Sequence, residues 1–306
     1  MDSQRGRRAR GGRGRGREER EQNTPLTLAH VRVPRVLYNP RMGDALSDWS
    51  PMHEAAIHGR MLSLRNLIRQ GWPVNLVTVD HVSPLHEACL GGHASCVNLL
   101  LRHGALVDGV TTDWHTPLFN TCISGNRECL ELLLQNGASY LPMSDLTSPI
   151  HEASKRGHLE CIECLTSYGC NVNHNIGFLG TPLYLACENN HVACAKRLLD
   201  SGADVNIGKG LESPLHVAAR MTCKELACLL MDFGANVYLK NSENKRPVEL
   251  VPPDSPLAHV FLEREGPPSL MQLCRLRLRK CFGALPHQRV NSLMIPEELK
   301  RFLLHL

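Results

Sequence analysis

Three His-Glu pairs recur along the 306-residue chain, His53-Glu54, His86-Glu87 and His151-Glu152, and Cys161-Ile162-Glu163-Cys164 makes a Cys-x-x-Cys. Imidazole beside carboxylate is the chemistry of zinc hydrolases, and paired thiols are the chemistry of zinc and redox sites. Neither set is completed. The zinc-protease motif needs a second His four residues after the first, and Ile57, Leu90 and Lys155 stand there instead. One thiol pair cannot close a tetrahedral zinc site. No Gly-Lys-Ser/Thr phosphate loop and no nucleophile elbow is present. The expectation is a non-catalytic protein with no metal and no cofactor.

The histidines make sense as part of a longer pattern. Ser50-Pro51-Met52-His53, Ser83-Pro84-Leu85-His86, Ser148-Pro149-Ile150-His151 and Ser213-Pro214-Leu215-His216 share one form; Thr116-Pro117-Leu118-Phe119 and Thr181-Pro182-Leu183-Tyr184 vary it, and Arg246-Pro247-Val248-Glu249 is a weak copy. The prolines are 33, 33, 32, 33, 32 and 33 residues apart. A fixed period near 33 residues marks a stacked repeat array, an architecture that grips other proteins. The phased histidines then read as staples that hydrogen-bond neighbouring turns.

Each repeat reads as two short helices. Ser83 caps the first and Pro84 fits its opening position. Leu85, Ala88 and Cys89 form its buried stripe, and Gly91-Gly92-His93 breaks it. Cys96, Val97, Leu100 and Leu101 form the buried face of the second helix. A stopping glycine recurs in phase at Gly71, Gly104, Gly137, Gly169, Gly202 and Gly234. Seven of the 13 cysteines follow the same phase: Cys96, Cys129, Cys161 and Cys194 lie 12 residues after a repeat proline, and Cys89, Cys122 and Cys187 lie 5 after one. Other repeats place Ala56, Ser154 and Ala219 at that second position. A place that accepts Cys, Ala and Ser is a small buried site, so these thiols read as core.

Charge is unevenly spread. Residues 1–20 hold eight Arg against three acids, a net +5, while the whole chain is +4. The repeats are therefore close to neutral and give no electrostatic support to nucleic-acid binding. The Arg/Gly-rich arm, residues 1–35, has the composition of disorder. No apolar run approaches a membrane span and no secretory leader is apparent, so an intracellular, cytoplasmic protein is expected.

Two surfaces have residue types suited to partners. Asp48-Trp49, Asp80-His81 and Asp113-Trp114 each precede a repeat proline, as does Asp145-Leu146. Their phase places them side by side on projecting loops, where Trp favours binding hot spots. They are the candidate substrate contacts. After Gly266, Leu270, Leu273, Cys274 and Leu278 fall at helical spacing, followed by Ile295-Pro296-Glu297-Glu298-Leu299.

The repeat, with Gly202-Ala203-Asp204-Val205-Asn206 as its turn, resembles the ankyrin repeat. Ser269, Leu270, Cys274 and Leu278 resemble the opening of a SOCS box. Together, in this order, they resemble the ankyrin repeat and SOCS box family. The implied fold is all-α: an ankyrin solenoid of six clear repeats plus a decayed seventh, residues 36–260, then a small helical SOCS box, residues 266–306. The resemblance implies a substrate-recognition adaptor of a cullin-5 RING ubiquitin ligase that sends its substrate to the proteasome. Leu270, Leu273, Cys274 and Leu278 would meet Elongin B/C. Ile295, Pro296 and Leu299 would meet cullin-5, with Ile295 where the family has Leu. The repeats would hold a folded protein, with creatine kinase a candidate. A scaffold outside any ligase, and an RNA-associated factor acting through the Arg/Gly arm, are the alternatives.

Overall fold

The computed structural model describes residues 49–141, 148–266, 273–274, 276–277 and 291–304. All of them lie in one compact unit, Asn39–Leu306. The architecture is a mostly helical ankyrin solenoid without a sheet: the described residues contain only two isolated bridges, Ile176 with Gly180 and Lys209 with Glu212.

Six helix pairs follow one another. They are α1 (Pro51–Ile57) and α2 (Met61–Arg69), α3 (Pro84–Leu90) and α4 (Ala94–Arg102), α5 (Pro117–Ser124) and α6 (Arg127–Gln135), α7 (Pro149–Arg156) and α8 (Leu159–Ser167), α9 (Pro182–Glu188) and α10 (Val192–Asp200), and α11 (Pro214–Arg220) and α12 (Lys224–Asp232). A 3₁₀ turn at Pro247–Leu250 and α13 (Pro256–Arg264) form the decayed seventh repeat. The helix α13 runs past the residue-260 limit drawn from the sequence, because Ser255 caps it and Phe261 is fully buried. A last helix, α14, spans Glu297–Leu304.

Each first helix starts where the sequence directs. Ser50, Ser83, Thr116 and Thr181 sit in extended backbone ahead of a proline and their hydroxyls take up orphan helix N–H groups; Ser213 has the same backbone, with its hydroxyl 2.7 Å from His216 Nδ1. Each second helix ends on a glycine in left-handed backbone; Gly71 and Gly104 have φ of +87° and +82°. The following N–H then donates back to the carbonyl five residues earlier, as Ala105 does to Leu100 at 3.0 Å. Leu85, Leu118, Ile150, Leu183 and Leu215 from the first helices, with Leu100, Leu133, Leu165, Leu198 and Leu230 from the second, form one continuous core.

The seven phased thiols and Cys164 are buried in that core, and every cysteine in the described residues is free. Burial drives their pKa upward, Cys129 and Cys161 to about 12. They are packing groups, and no metal-holding cluster of His, Cys, Asp and Glu occurs among the described residues.

Candidate protein-binding site

The stapling role of the histidines explains how the projecting loops are held. His53 Nε2 meets the Val82 carbonyl at 3.0 Å, His86 that of His115 at 3.2 Å, His151 that of Gly180 at 3.1 Å and His216 that of Lys245 at 3.2 Å. Each bond spans 29 residues and anchors the base of the next repeat's loop. The other ring nitrogen, Nδ1, sits 2.8 Å from Ser50 Oγ in the first repeat and 2.8 Å from Ser83 Oγ in the second. Burial lowers the pKa of His86 and of His151 to about 4, so both rings are neutral hydrogen-bonding groups.

On this base stand the loops. Thr78 N donates to Val82 O at 3.0 Å, His81 N to Thr78 O at 2.9 Å and Val82 N to Thr78 Oγ1 at 3.1 Å. The same three bonds recur at Thr111–His115 and, with Asn for Thr, at Asn241–Lys245. This is a three-residue hairpin closed by one residue in left-handed backbone. That residue is His81 (φ 59°), Trp114 (φ 62°) and Asn244 (φ 61°). Asn tolerates this conformation; a bulky Trp there is an outlier. Adjacent tips are tied together, Thr112 N donating to Asp80 O at 3.0 Å.

Asp80, His81, Asp113 and Trp114 are all exposed, and Trp114 is half in solvent. Trp49 differs. It is half-buried, with its ring 5.3 Å from that of His53, so it packs on the first helix instead of projecting. Asp48, Asp145 and Leu146 lie outside the described residues. The sequence reading missed further apolar tips: Val79, Phe178 and Leu211 are exposed on the hairpins of their own repeats. Only the loop geometry separates them from core residues of the same type.

It also missed two further sets of inter-repeat ties. His93, His158 and His191, just ahead of the second helices, bond back to the carbonyls of Ile57 (2.9 Å), Ile123 (3.2 Å) and Lys155 (3.1 Å). Asn75 takes Leu106 N at 2.8 Å and donates to Gly104 O at 2.9 Å, and Asn173 repeats this with Asp204 and Gly202. The recurring Gly-His at Gly92-His93 and Gly157-His158 was the available signal.

At the other end, Leu273, Cys274, Leu276 and Arg277 are helical. Leu276 is half-buried and rests on the end of the sixth repeat: a Cβ built on Gly234 would come within 2.8 Å of it. Leu273 and Cys274, on the same helix, are exposed. Ile295 is half-buried, Pro296 exposed, and α14 carries Leu299, with Lys300 N donating to Pro296 O at 3.1 Å. Leu270 and Leu278 lie outside the described residues.

Models of ankyrin repeats match residues 26–111, 106–176 and 150–241, and the SOCS box model matches residues 266–304. Ankyrin repeat and SOCS box protein 9 of Mus musculus is 65% identical over 295 residues, covering 96% of this chain and 99% of its own. The Homo sapiens protein of the same name is 70% identical over 272 residues, covering 89% and 92%. The chain belongs to the ankyrin repeat and SOCS box family. The crystal structure of the human ASB11 ankyrin repeat domain superposes with a TM-score of 0.68 at 50% identity, covering 72% of this chain and all of that one. Family membership accounts for the order of the two surfaces, hairpin tips on the repeats and an exposed Leu-Cys pair on the helix that follows them. No helix among the described residues is long and apolar enough to cross a membrane.

Proposed function

We propose that the protein is the non-catalytic, substrate-recognition subunit of a cullin-5 RING ubiquitin ligase. The repeats, assigned to residues 36–260 with α13 completing them, hold a folded protein through Asp80, His81, Asp113 and Trp114, with Asp48 and Trp49 at the first repeat. The box, residues 266–306, binds Elongin B/C through Leu270, Leu273, Cys274 and Leu278, and cullin-5 through Ile295, Pro296 and Leu299. The adaptor does no bond chemistry; it raises the effective concentration of substrate lysines beside the charged E2.

The observation that carries this reading is the exposed Leu-Cys pair on the helix that follows the repeats. Leu276 rests beside Gly234, whereas Leu273 and Cys274 stay exposed. A helix that only capped the array would bury its apolar side against the array. Purified Elongin B/C run with the full chain on gel filtration tests the assignment. Co-elution is expected, and Leu270→Ala with Cys274→Ala abolishes it while cargo capture persists. Normal co-elution of the double variant refutes the docking residues. Creatine kinase is the first cargo to try in the same format.

A further inference from the structure

Glu54, Glu87 and Glu152 occupy one place in repeats one, two and four: directly after the stapling histidine, in the first turn of α1, α3 and α7. In two of these repeats a basic group nearby answers the charge. Glu54 pairs with His58 at 3.3 Å and with Arg60 at 3.6 Å, and Glu152 pairs with Arg156. His58 and Arg156 are each four residues on, the neighbouring position along a helix face. In the second repeat that position is Gly91. No side chain fits there, because a Cβ on Gly91 would lie 2.6 Å from the His93 ring and 2.7 Å from the Ile57 carbonyl.

The acid without a cation is also the deepest of the three. Glu87 is buried, 6% exposed, whereas Glu54 and Glu152 are half-buried. Among the described residues no hydrogen bond or ion pair reaches its carboxylate. Burial raises its pKa, with nothing opposing. Its oxygens are not among the enclosed side-chain atoms left without a partner, so they still reach the surface; a carboxylate so largely covered is ordinarily paired. The helix dipole does not account for it, since all three acids share the same helix position and the more exposed two still have cations.

The surroundings have one sign. The hairpin stretches 76–83 and 109–116, in this repeat and the next, contain Asp80 and Asp113 and no Lys or Arg. Both acids are exposed. A cation approaching from outside meets carboxylates and no competing basic group on these hairpins.

On the reading that the repeats hold a protein, we propose that Glu87 seats an arginine or lysine side chain of that cargo. The incoming cation takes the place that His58, Arg60 and Arg156 fill for the counterparts of Glu87. Arginine suits the seat best, since its planar fork can meet both carboxylate oxygens.

The test uses the full chain and an immobilised array of random nine-residue peptides whose central residue is fixed as each amino acid in turn, with citrulline as the neutral isostere of arginine. Arg and Lys spots should bind about tenfold above citrulline, the scale of one charge-assisted hydrogen bond. Glu87→Gln should erase that preference while Glu54→Gln keeps it. Carbodiimide coupling of a lysine-centred peptide to the unaltered protein, mapped by mass spectrometry, should join the peptide to Glu87, an arm that needs no variant to fold. Absence of any basic preference, its survival in Glu87→Gln, or coupling confined to Asp80 and Asp113 overturns the proposal. Co-elution with Elongin B/C is indifferent to Glu87, so failure here and failure of the adaptor reading are separate results.

Discussion

Replacing Gly59 with Ala isolates the inter-repeat tie made by His93. The site has φ +65°, and a Cβ there would lie 2.6 Å from His93 Nδ1. Gly71, in the same repeat, has φ +87° and nothing within 4 Å of its would-be Cβ. Gly71→Ala therefore reports the backbone penalty alone, about 1 kcal/mol for left-handed geometry. Gly59→Ala adds displacement of the His93 ring, and with it the 2.9 Å bond to the Ile57 carbonyl. A broken bond of this kind, leaving a part-buried acceptor unmet, costs about 1–3 kcal/mol. The total is about 3 kcal/mol, near 10 °C in Tm at roughly 2–4 °C per kcal/mol for an array of this size. Repeat arrays also open locally, so amide exchange across Pro51–Arg69 is the sharper readout. Gly59→Ala should lose several-fold more protection there than Gly71→Ala. Equal losses would refute the claim that the imidazole over the glycine carries stability.

Acid should weaken the stack. His86 and His151 have folded pKa values near 4 against an ordinary 6.5, so below pH 6.5 the unfolded chain binds more protons. Stability then falls as pH drops from 6.5 toward 4, by about 3 kcal/mol for each ring, and urea midpoints across that window check it; His86→Gln should flatten the slope. Leu276→Ala should free the helix that carries it from Gly234 and raise amide exchange in the sixth repeat, with little change in the first repeats, as exchange mass spectrometry would show. Asp80→Ala, Asp113→Ala and Trp114→Ala, on exposed tips, should weaken cargo capture at least tenfold with Tm within a few degrees of wild type; normal capture by all three, measured with a purified cargo, would dismiss the tips as contacts.

The repeat architecture was readable because four signals share one phase: the cap, the proline, the histidine and the stopping glycine. Each acts within a few residues of itself, so sequence spacing captures it. The thiols were readable for the same reason, since Cys89 and Cys122 share a position with Ala56. The site was less legible. Trp49 lies two residues before its repeat proline and Trp114 three before its own, and one stacks near His53 while the other projects. That one-residue offset puts Trp49 at the hairpin-closing place of Val82 and His115, which the shared Asp-Trp pair concealed. Val79, Phe178 and Leu211 were overlooked because an apolar residue in a string reads as core until its loop is seen to project. Glu87 looked like its two counterparts until the absence of a cation at Gly91 was set beside its burial.

The ties between repeats have a temporal consequence. His53 reaches 29 residues ahead, His93 reaches 36 back, and Asn75 reaches 31 ahead. None of these bonds requires a distant part of the polypeptide, so loop-closure entropy stays small and assembly is quick. A growing chain can therefore lock each helix pair as the next leaves the ribosome, beginning at the amino end. The Leu276 contact with Gly234 follows all of these along the chain. The six helix pairs can thus be in place before the helix that carries Leu276.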